Sequence, residues 1–383
     1  MMLHKIWILT IIFCERLVKE MKRILLVSNT YYQLIMAIQM RYTIFTEDEI
    51  VLMLSDHSKG TKVICEEIKK LNVFHQVKYI ETWDKLHNTR RLSRYNEYRK
   101  ILSNRKSSFE YLLEGIDNLY FDEIIAYNIG LDIFGIFTFL NKTNPDISIA
   151  SYDEGILSYN LVQRSHISSK KRRLLCHLVG KQDVSDVIKN FYCLYPQMYK
   201  GDLSPVSVPH ISRDGKCAKI LKAIFELDDD KLFYPEKYIF FTSVYDFEGG
   251  APVGEYEIAC QVAKLVGKEN LLIKVHPRDR RTIYVDNGFH VDKNSNIPWE
   301  AIQLAGDFFD KVFLTATSGS VLAGSFLSDR PIKTFFLYNL CHFDRNVTAA
   351  KIRDNIDSLL KNETMKDVLR FVRAPEDIMD IIL

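Results

Sequence analysis

The sequence predicts an α/β protein of two doubly wound, Rossmann-like domains. Short apolar runs alternate with amphipathic stretches through most of the chain. The alternation breaks between about residues 161 and 235 and then resumes. Length agrees, because 383 residues make two domains at roughly 100–200 residues each.

The elements follow in order. Ile24 to Ser28 is an apolar run and reads as a buried strand; Asn29-Thr30 supplies a cap, and Tyr31 to Met40 reads as a helix. Ile50 to Leu54 is a second strand, Gly60 to Leu71 a helix and Val77 to Ile80 a third strand. Residues 85–118 are polar and basic, with helical spacing at Leu86, Leu92, Tyr95, Tyr98 and Ile101. Glu123 to Tyr127, a helix over Leu131 to Leu140 and Ile147 to Tyr152 complete the first alternation. The second begins with a strand at Tyr238 to Thr242, a helix over Tyr256 to Val266 and a strand at Leu271 to Val275. Pro298 opens a helix at Trp299-Glu300. Val312 to Thr315 is a strand, Ser320 to Leu327 a helix and Ile332 to Phe336 a strand; residues 349–383 read as helical. The domains expected are 21–215 and 216–383. Their arrangement around one cleft would be the GT-B architecture, common among sugar-nucleotide enzymes.

Composition narrows the class. Apolar residues make 47% and charged residues 26%, which excludes disordered, collagen-like and low-complexity chains. A net charge of +2 provides no global field for nucleic acid. The seven cysteines include no C-x-x-C pair and suit neither a zinc site nor a disulfide framework, so a reducing cytosol is the simplest compartment. Ile6 to Cys14 is too short for a membrane span of about 20 residues. Residues 1–20 read as translation upstream of a start at Met21; the rival reading is a membrane-surface helix.

Four candidate sites fall at the carboxyl ends of expected strands, where open α/β sheets bind ligands. Ser151-Tyr-Asp-Glu-Gly155 delivers two carboxylates, Asp153 and Glu154, and a glycine that allows a sharp turn. Either acid there could serve as a general base toward a hydroxyl. Lys274, His276, Pro277, Arg278 and Arg280 end a buried strand, and a histidine among cations suits a phosphate leaving group. Thr317, Ser318, Gly319 and Ser320 form a hydroxyl-rich strand-to-helix turn, a ready anion site. Thr242-Ser243 with Gly249-Gly250 could approach a nucleotide, and Glu300 sits at a helix start nearby. Two other features read as ordinary surface. Asp228-Asp-Asp230 resembles a metal-binding acidic motif but lies in the interdomain stretch, and reads as a solvated turn. Lys170 to Arg173 reads as a solvated helix face, with anionic lipid as its other contact. No histidine set shows metal-ligand spacing.

Together, and in this order, Asp153-Glu154-Gly155, His276-Pro277 and Thr317-Ser318-Gly319-Ser320 resemble the motifs of bacterial sialyltransferases. The group is the lipooligosaccharide and capsule type, glycosyltransferase family 52, with the capsule polysialyltransferases nearby. Ser28-Asn-Thr-Tyr-Tyr-Gln-Leu34 also resembles that family's first strand-to-helix turn, with Tyr31 in place of proline. The resemblance implies a GT-B fold, a CMP-sialic acid donor, a galactose-terminated glycan acceptor and no metal or other cofactor. It implies that Asp153 is the base and His276 the acid or phosphate partner, and that Thr317, Ser318 and Ser320 hold the CMP phosphate. Glu255 or Glu257 is the alternative base, upstream of His-Pro in the second domain. The expected setting is the cytoplasm, with peripheral contact at the inner membrane surface. Rival readings are a CDP-glycerol or UDP-sugar transferase, and a non-catalytic glycan or nucleotide binder.

Overall fold

The computed structural model describes residues 20–82, 91–103, 105, 109–155, 158–247, 252–294, 297–330, 332–342, 369–372 and 377–379. Residues 1–19, Leu86, Gly249 with Gly250 and most of 349–383, named above, lie outside them.

The first sheet has seven parallel strands in the order β3-β2-β1-β4-β5-β6-β7. In chain order these elements are β1 (Arg23–Ser28), α1 (Tyr31–Thr43), β2 (Glu49–Ser55), α2 (Thr61–Lys70), β3 (Gln76–Ile80), α3 (Arg91–Leu102), β4 (Glu123–Ala126), α4 (Leu131–Leu140) and β5 (Ser148–Tyr152). Next come three short helices, α5 (Ser158–Leu161), α6 (Arg164–Ile167) and α7 (Lys170–Leu178), then α8 (Val184–Val187), β6 (Ile188–Cys193) and β7 (Ser204–Ser207). Leu25 of β1 lies between Val51 and Ile124, and all of β1 is buried. Central parallel strands are covered on both faces, which is why they read as continuous apolar runs.

The second sheet has six parallel strands in the order β10-β9-β8-β11-β12-β13. It is preceded by α9 (Lys216–Ile224) and built from β8 (Tyr238–Phe241), α10 (Glu255–Val266), β9 (Leu271–Lys274), α11 (Ile283–Asp286), β10 (His290–Val291), α12 (Trp299–Ala305), β11 (Val312–Thr315), α13 (Ser320–Leu327), β12 (Thr334–Phe336) and β13 (Leu369–Phe371). Counted from β8, this is the order 3-2-1-4-5-6 of the doubly wound dinucleotide folds. Each sheet therefore reverses direction once, beside β1 in the first and beside β8 in the second, and each reversal opens a crevice at the strands' carboxyl ends.

Three expectations change. The stretch after residue 161 continues the first sheet, because β6 and β7 add two strands to it. Pro205 in β7 is tolerated because β7 is an edge strand, where a missing N–H breaks no inner ladder. The C-terminal stretch is not all helix, since Leu369–Phe371 pairs in parallel with β12. Finally, Pro298 caps α12 and lies just before its first turn. Between the sheets, α9 packs on both α1 and α12. Among the described residues, no helix is long and apolar enough to cross a membrane.

Candidate active site

A cavity of about 660 Å³ lies between the two sheets. Its walls come from the turns after β1, β5, β8, β9 and β11, which are the two crevices facing each other. Two doubly wound domains around such a cleft constitute the GT-B fold. Most of the residues singled out from sequence meet here: Glu154, Ser243, His276, Arg278, Glu300 and Thr317 to Ser320.

On the first-domain wall, Thr30 caps α1 by accepting from the backbone N–H of Gln33 at 3.3 Å. Its hydroxyl also donates to Glu154 Oε1 at 3.1 Å. Burial raises the Glu154 carboxyl to about 7, the hydrogen bonds from Gln33 and Thr30 oppose the rise, and the charge of Asp153 adds to it. Glu154 is thus a cavity-lining acid that titrates near neutrality.

Asp153, the expected base, does not line the cavity. Its side chain is fully buried and accepts from the Tyr159 hydroxyl, the Ser158 hydroxyl at 3.1 Å and the Gly155 N–H at 2.6 Å. Gly155 has φ +91°, a left-handed conformation that glycine adopts without strain. Asp153 therefore closes the turn that presents Glu154. Burial is the main influence on its own carboxyl, raised to about 6 against these hydrogen bonds.

On the second-domain wall, His276 receives a hydrogen bond at Nδ1 from the Arg278 backbone N–H, at 3.1 Å. That places the neutral ring's proton on Nε2. The His276 backbone N–H is anchored on the Thr242 hydroxyl at 2.9 Å. Pro277 shapes this turn without lining the cavity. Lys274 is withdrawn from it: buried, it pairs with Asp292 and lies over the Trp299 ring. The expectation that Lys274 contacts a donor is corrected, because its charge is already matched inside the sheet.

The starts of α1, α12 and α13 line the cavity, and the ends of α10 and α13 differ in what fills them. At α10 the Asp246 carboxylate accepts from the N–H groups of Val253, Gly254, Glu255 and Tyr256, at 3.0 to 3.3 Å. That end is filled by a protein anion. At α13 the cap position is Gly319, with no side-chain cap. Just before it, the buried Thr317 hydroxyl has no hydrogen-bond partner among the described residues. An open helix N-terminus beside an unsatisfied buried hydroxyl fits an incoming anion. Thr315 holds this turn from below: its hydroxyl donates to the Phe241 carbonyl at 2.9 Å and accepts from the Ser318 N–H at 2.8 Å.

The alternative bases are also placed. Glu255 is fully buried and both its oxygens accept from the Ser243 N–H, at 3.1 and 2.9 Å. Burial lifts it to about 8, and it supports the Ser243 loop away from the cavity surface. Glu257 is exposed on α10 and outside the cavity. Glu300 lines the cavity, with its carboxyl raised by burial against the pull of Lys274. The acidic triplet Asp228 to Asp230 is an exposed turn, and no cluster able to hold a metal occurs among the described residues.

Sequence reasoning did not find the apolar wall, made of Tyr32, Tyr127, Tyr245, Leu161 and Phe326. Phe326 of α13 packs on Tyr195 at 4.9 Å between ring centroids, so the two domains meet through aromatic rings beside the cavity. These residues carry no local motif; only the tertiary fold collects them.

No protein-family model matches the chain, and no curated protein matches it by sequence. Solved structures do resemble it. An α/β-galactoside α-2,3-sialyltransferase from Photobacterium phosphoreum is 10% identical, with a TM-score of 0.49 over 92% of this chain and 99% of that one. A UDP-GlcNAc 2-epimerase from Neisseria meningitidis, bound to UDP-GlcNAc, is 11% identical, with a TM-score of 0.47 over 94% and 90%. MurG from Acinetobacter baumannii is 10% identical, with a TM-score of 0.42 over 95% and 90%. Likenesses this distant do not discriminate between substrates. The fold assignment rests on strand order and the facing crevices.

Proposed function

We propose that the protein is an inverting glycosyltransferase that moves sialic acid from CMP-sialic acid to a hydroxyl of a cell-surface glycan, working at the cytoplasmic face of the membrane. The observation that carries this reading is the division of the cavity walls. One wall offers an acid whose carboxyl is raised to about 7; the other offers the uncapped α13 N-terminus with Thr317 beside a histidine and an arginine.

A CMP-sugar has one phosphate, joined to the anomeric carbon. The α13 N-terminus, with Thr317, Ser318 and Ser320, would receive that phosphate. Glu300 can accept from the ribose hydroxyls. In the reaction the acceptor oxygen bonds to the anomeric carbon from the face opposite CMP. Its proton passes to the Glu154 carboxylate, and the bond between the anomeric carbon and the phosphate oxygen breaks. His276 Nε2–H and Arg278 stabilise the charge that builds on the departing phosphate. One displacement inverts the anomeric centre. Asp153 acts at one remove, by holding the turn that aims Glu154. With a single phosphate to neutralise, these groups suffice without a divalent cation.

The test is release of CMP from CMP-sialic acid in the presence of a galactose-terminated oligosaccharide, with UDP-sugars and CDP-glycerol run in parallel. Transfer from CMP-sialic acid is the expected result, abolished in His276→Ala and unchanged by EDTA. Transfer from a UDP-sugar or CDP-glycerol alone, or a requirement for added Mg²⁺ or Mn²⁺, would overturn the donor assignment.

A further inference from the structure

The helix α7 is built inside out. Lys171, Leu174, Leu175 and Leu178 follow an i, i+3, i+4, i+7 spacing, which puts them on one stripe. In most surface helices that stripe faces the core; here it faces solvent. Leu174 is 60% exposed, Leu175 50% and Leu178 72%, and Val179 beyond the helix end is 49% exposed. The polar side is the one turned inward. Arg172 donates to the buried Asp183 at 2.8 Å, Cys176 is buried beside them, and Arg173 reaches Ser185 at 3.1 Å. The fold therefore uses the helix's charges for attachment and leaves its leucines unused.

Beside α7 the Asp186 carboxylate is matched by His177 and Arg173, and the charge left over is positive. Lys170 and Lys171 are exposed and form no ion pair among the described residues, whereas the arginines are tied inward. At the C-terminal end of the helix, Val179 borders a recess of about 400 Å³ that Lys142 and Lys181 also line. Three exposed leucines and a valine flanked by lysines describe a helix that lies in the plane of an interface, its apolar side in the acyl boundary and its cations among headgroups. The stripe follows closely along the chain from the turn that presents Glu154, and Leu161 between them is itself half-exposed at the cavity wall.

We infer that α7 with Val179 is a monotopic docking surface for an anionic phospholipid membrane, with Lys170 and Lys171 among its headgroups. A second copy of this chain is a poorer occupant. A two-fold contact through α7 would set Lys170 and Lys171 against their own equivalents, whereas an anionic surface takes all of them. The inference does not depend on the donor or acceptor assigned above.

The full chain is sedimented with vesicles of phosphatidylcholine alone and with vesicles containing 30% phosphatidylglycerol. Binding is expected only to the anionic vesicles. Leu174→Ser with Leu178→Ser should lower partitioning at least tenfold. Lys170→Glu with Lys171→Glu should do the same through charge, since about 1 kcal/mol per lysine is roughly fivefold each. Both pairs lie on the exposed surface, and an unchanged melting temperature confirms that each variant is folded. Absence of binding by the parent protein, or equal binding by both variants, overturns the inference. So does a dimer in light scattering that the leucine variant converts to monomer while vesicle binding persists.

Discussion

Glu154→Gln separates the two roles assigned to that side chain, because the same environment that suits it for catalysis strains the fold. Its carboxyl titrates at about 7 in the folded protein against an ordinary 4.5. At 1.36 kcal/mol per tenfold, ionisation in the native state is disfavoured by on the order of 3 kcal/mol. The sign follows from proton counts. Between pH 4.5 and 7 the folded chain keeps a proton that the unfolded chain has released, so stability falls as pH rises through that window. Above pH 7 the whole penalty is present; below 4.5 it vanishes. Glutamine cannot ionise, so the variant should melt several degrees higher than the parent at pH 8 and at nearly the same temperature at pH 4.

Turnover should move the other way. Only the ionised carboxylate can accept the acceptor's proton, so the parent's kcat/KM should rise about tenfold per pH unit up to 7 and then level off. In Glu154→Gln the rate should drop by about 10²–10⁴-fold, the usual value of a general base, and the acidic limb should disappear. The assay is CMP release across pH 5 to 9, paired with melting curves at pH 4 and pH 8. A variant that keeps its rate within threefold and retains the same acidic limb would remove Glu154 from the mechanism. A variant less stable than the parent at pH 8 would show that its environment is not the strained one described.

Asp153→Asn should act on stability. It sets an amide N–H₂ among the Tyr159, Ser158 and Gly155 donors, and should cost about 1–3 kcal/mol in urea unfolding. Full stability with abolished turnover would instead return the role of base to Asp153. Thr317→Val should leave the unliganded melting temperature unchanged or higher, because the hydroxyl it removes has no partner among the described residues, while CMP affinity falls about tenfold. Equal CMP stabilisation in parent and variant would take Thr317 out of the anion site. Lys274→Met should strand Asp292 in the core and cost about 3–5 kcal/mol. A stable variant with weakened nucleotide binding would put Lys274 back in the donor site.

The central strands were legible because burial on both faces leaves continuous apolar runs; β1 and β11 are such runs, and their ends match expectation to within a residue. The strands that were missed are those whose neighbours hide them. β6 follows three helices of four residues, too short for an amphipathic period, and α7, whose apolar stripe faces solvent; its own Lys189 is exposed. β13 has three residues and takes its conformation from pairing with β12, a long-range partner that no local window reveals.

The site was legible at the level of turns and not of atoms, and the acidic pair shows why. Along an extended chain, neighbouring side chains point to opposite sides, so of Asp153 and Glu154 one had to face inward and the other outward. Nothing in the five letters Ser-Tyr-Asp-Glu-Gly decides which. The decision comes from residues that follow: Ser158 and Tyr159 on α5 offer two hydroxyls at the position of Asp153, and Thr30, reached only through β1, offers one to Glu154. The two basic residues at the end of β9 sort in the same way. Asp292, next to β10, claims Lys274 for the core, while Arg278 beyond the proline remains at the cavity. A sequence motif specifies which chemical groups reach the crevice edge. The side chains that bind those groups from behind, scattered through the chain, select which of them face the ligand, and here they select Glu154 and Arg278.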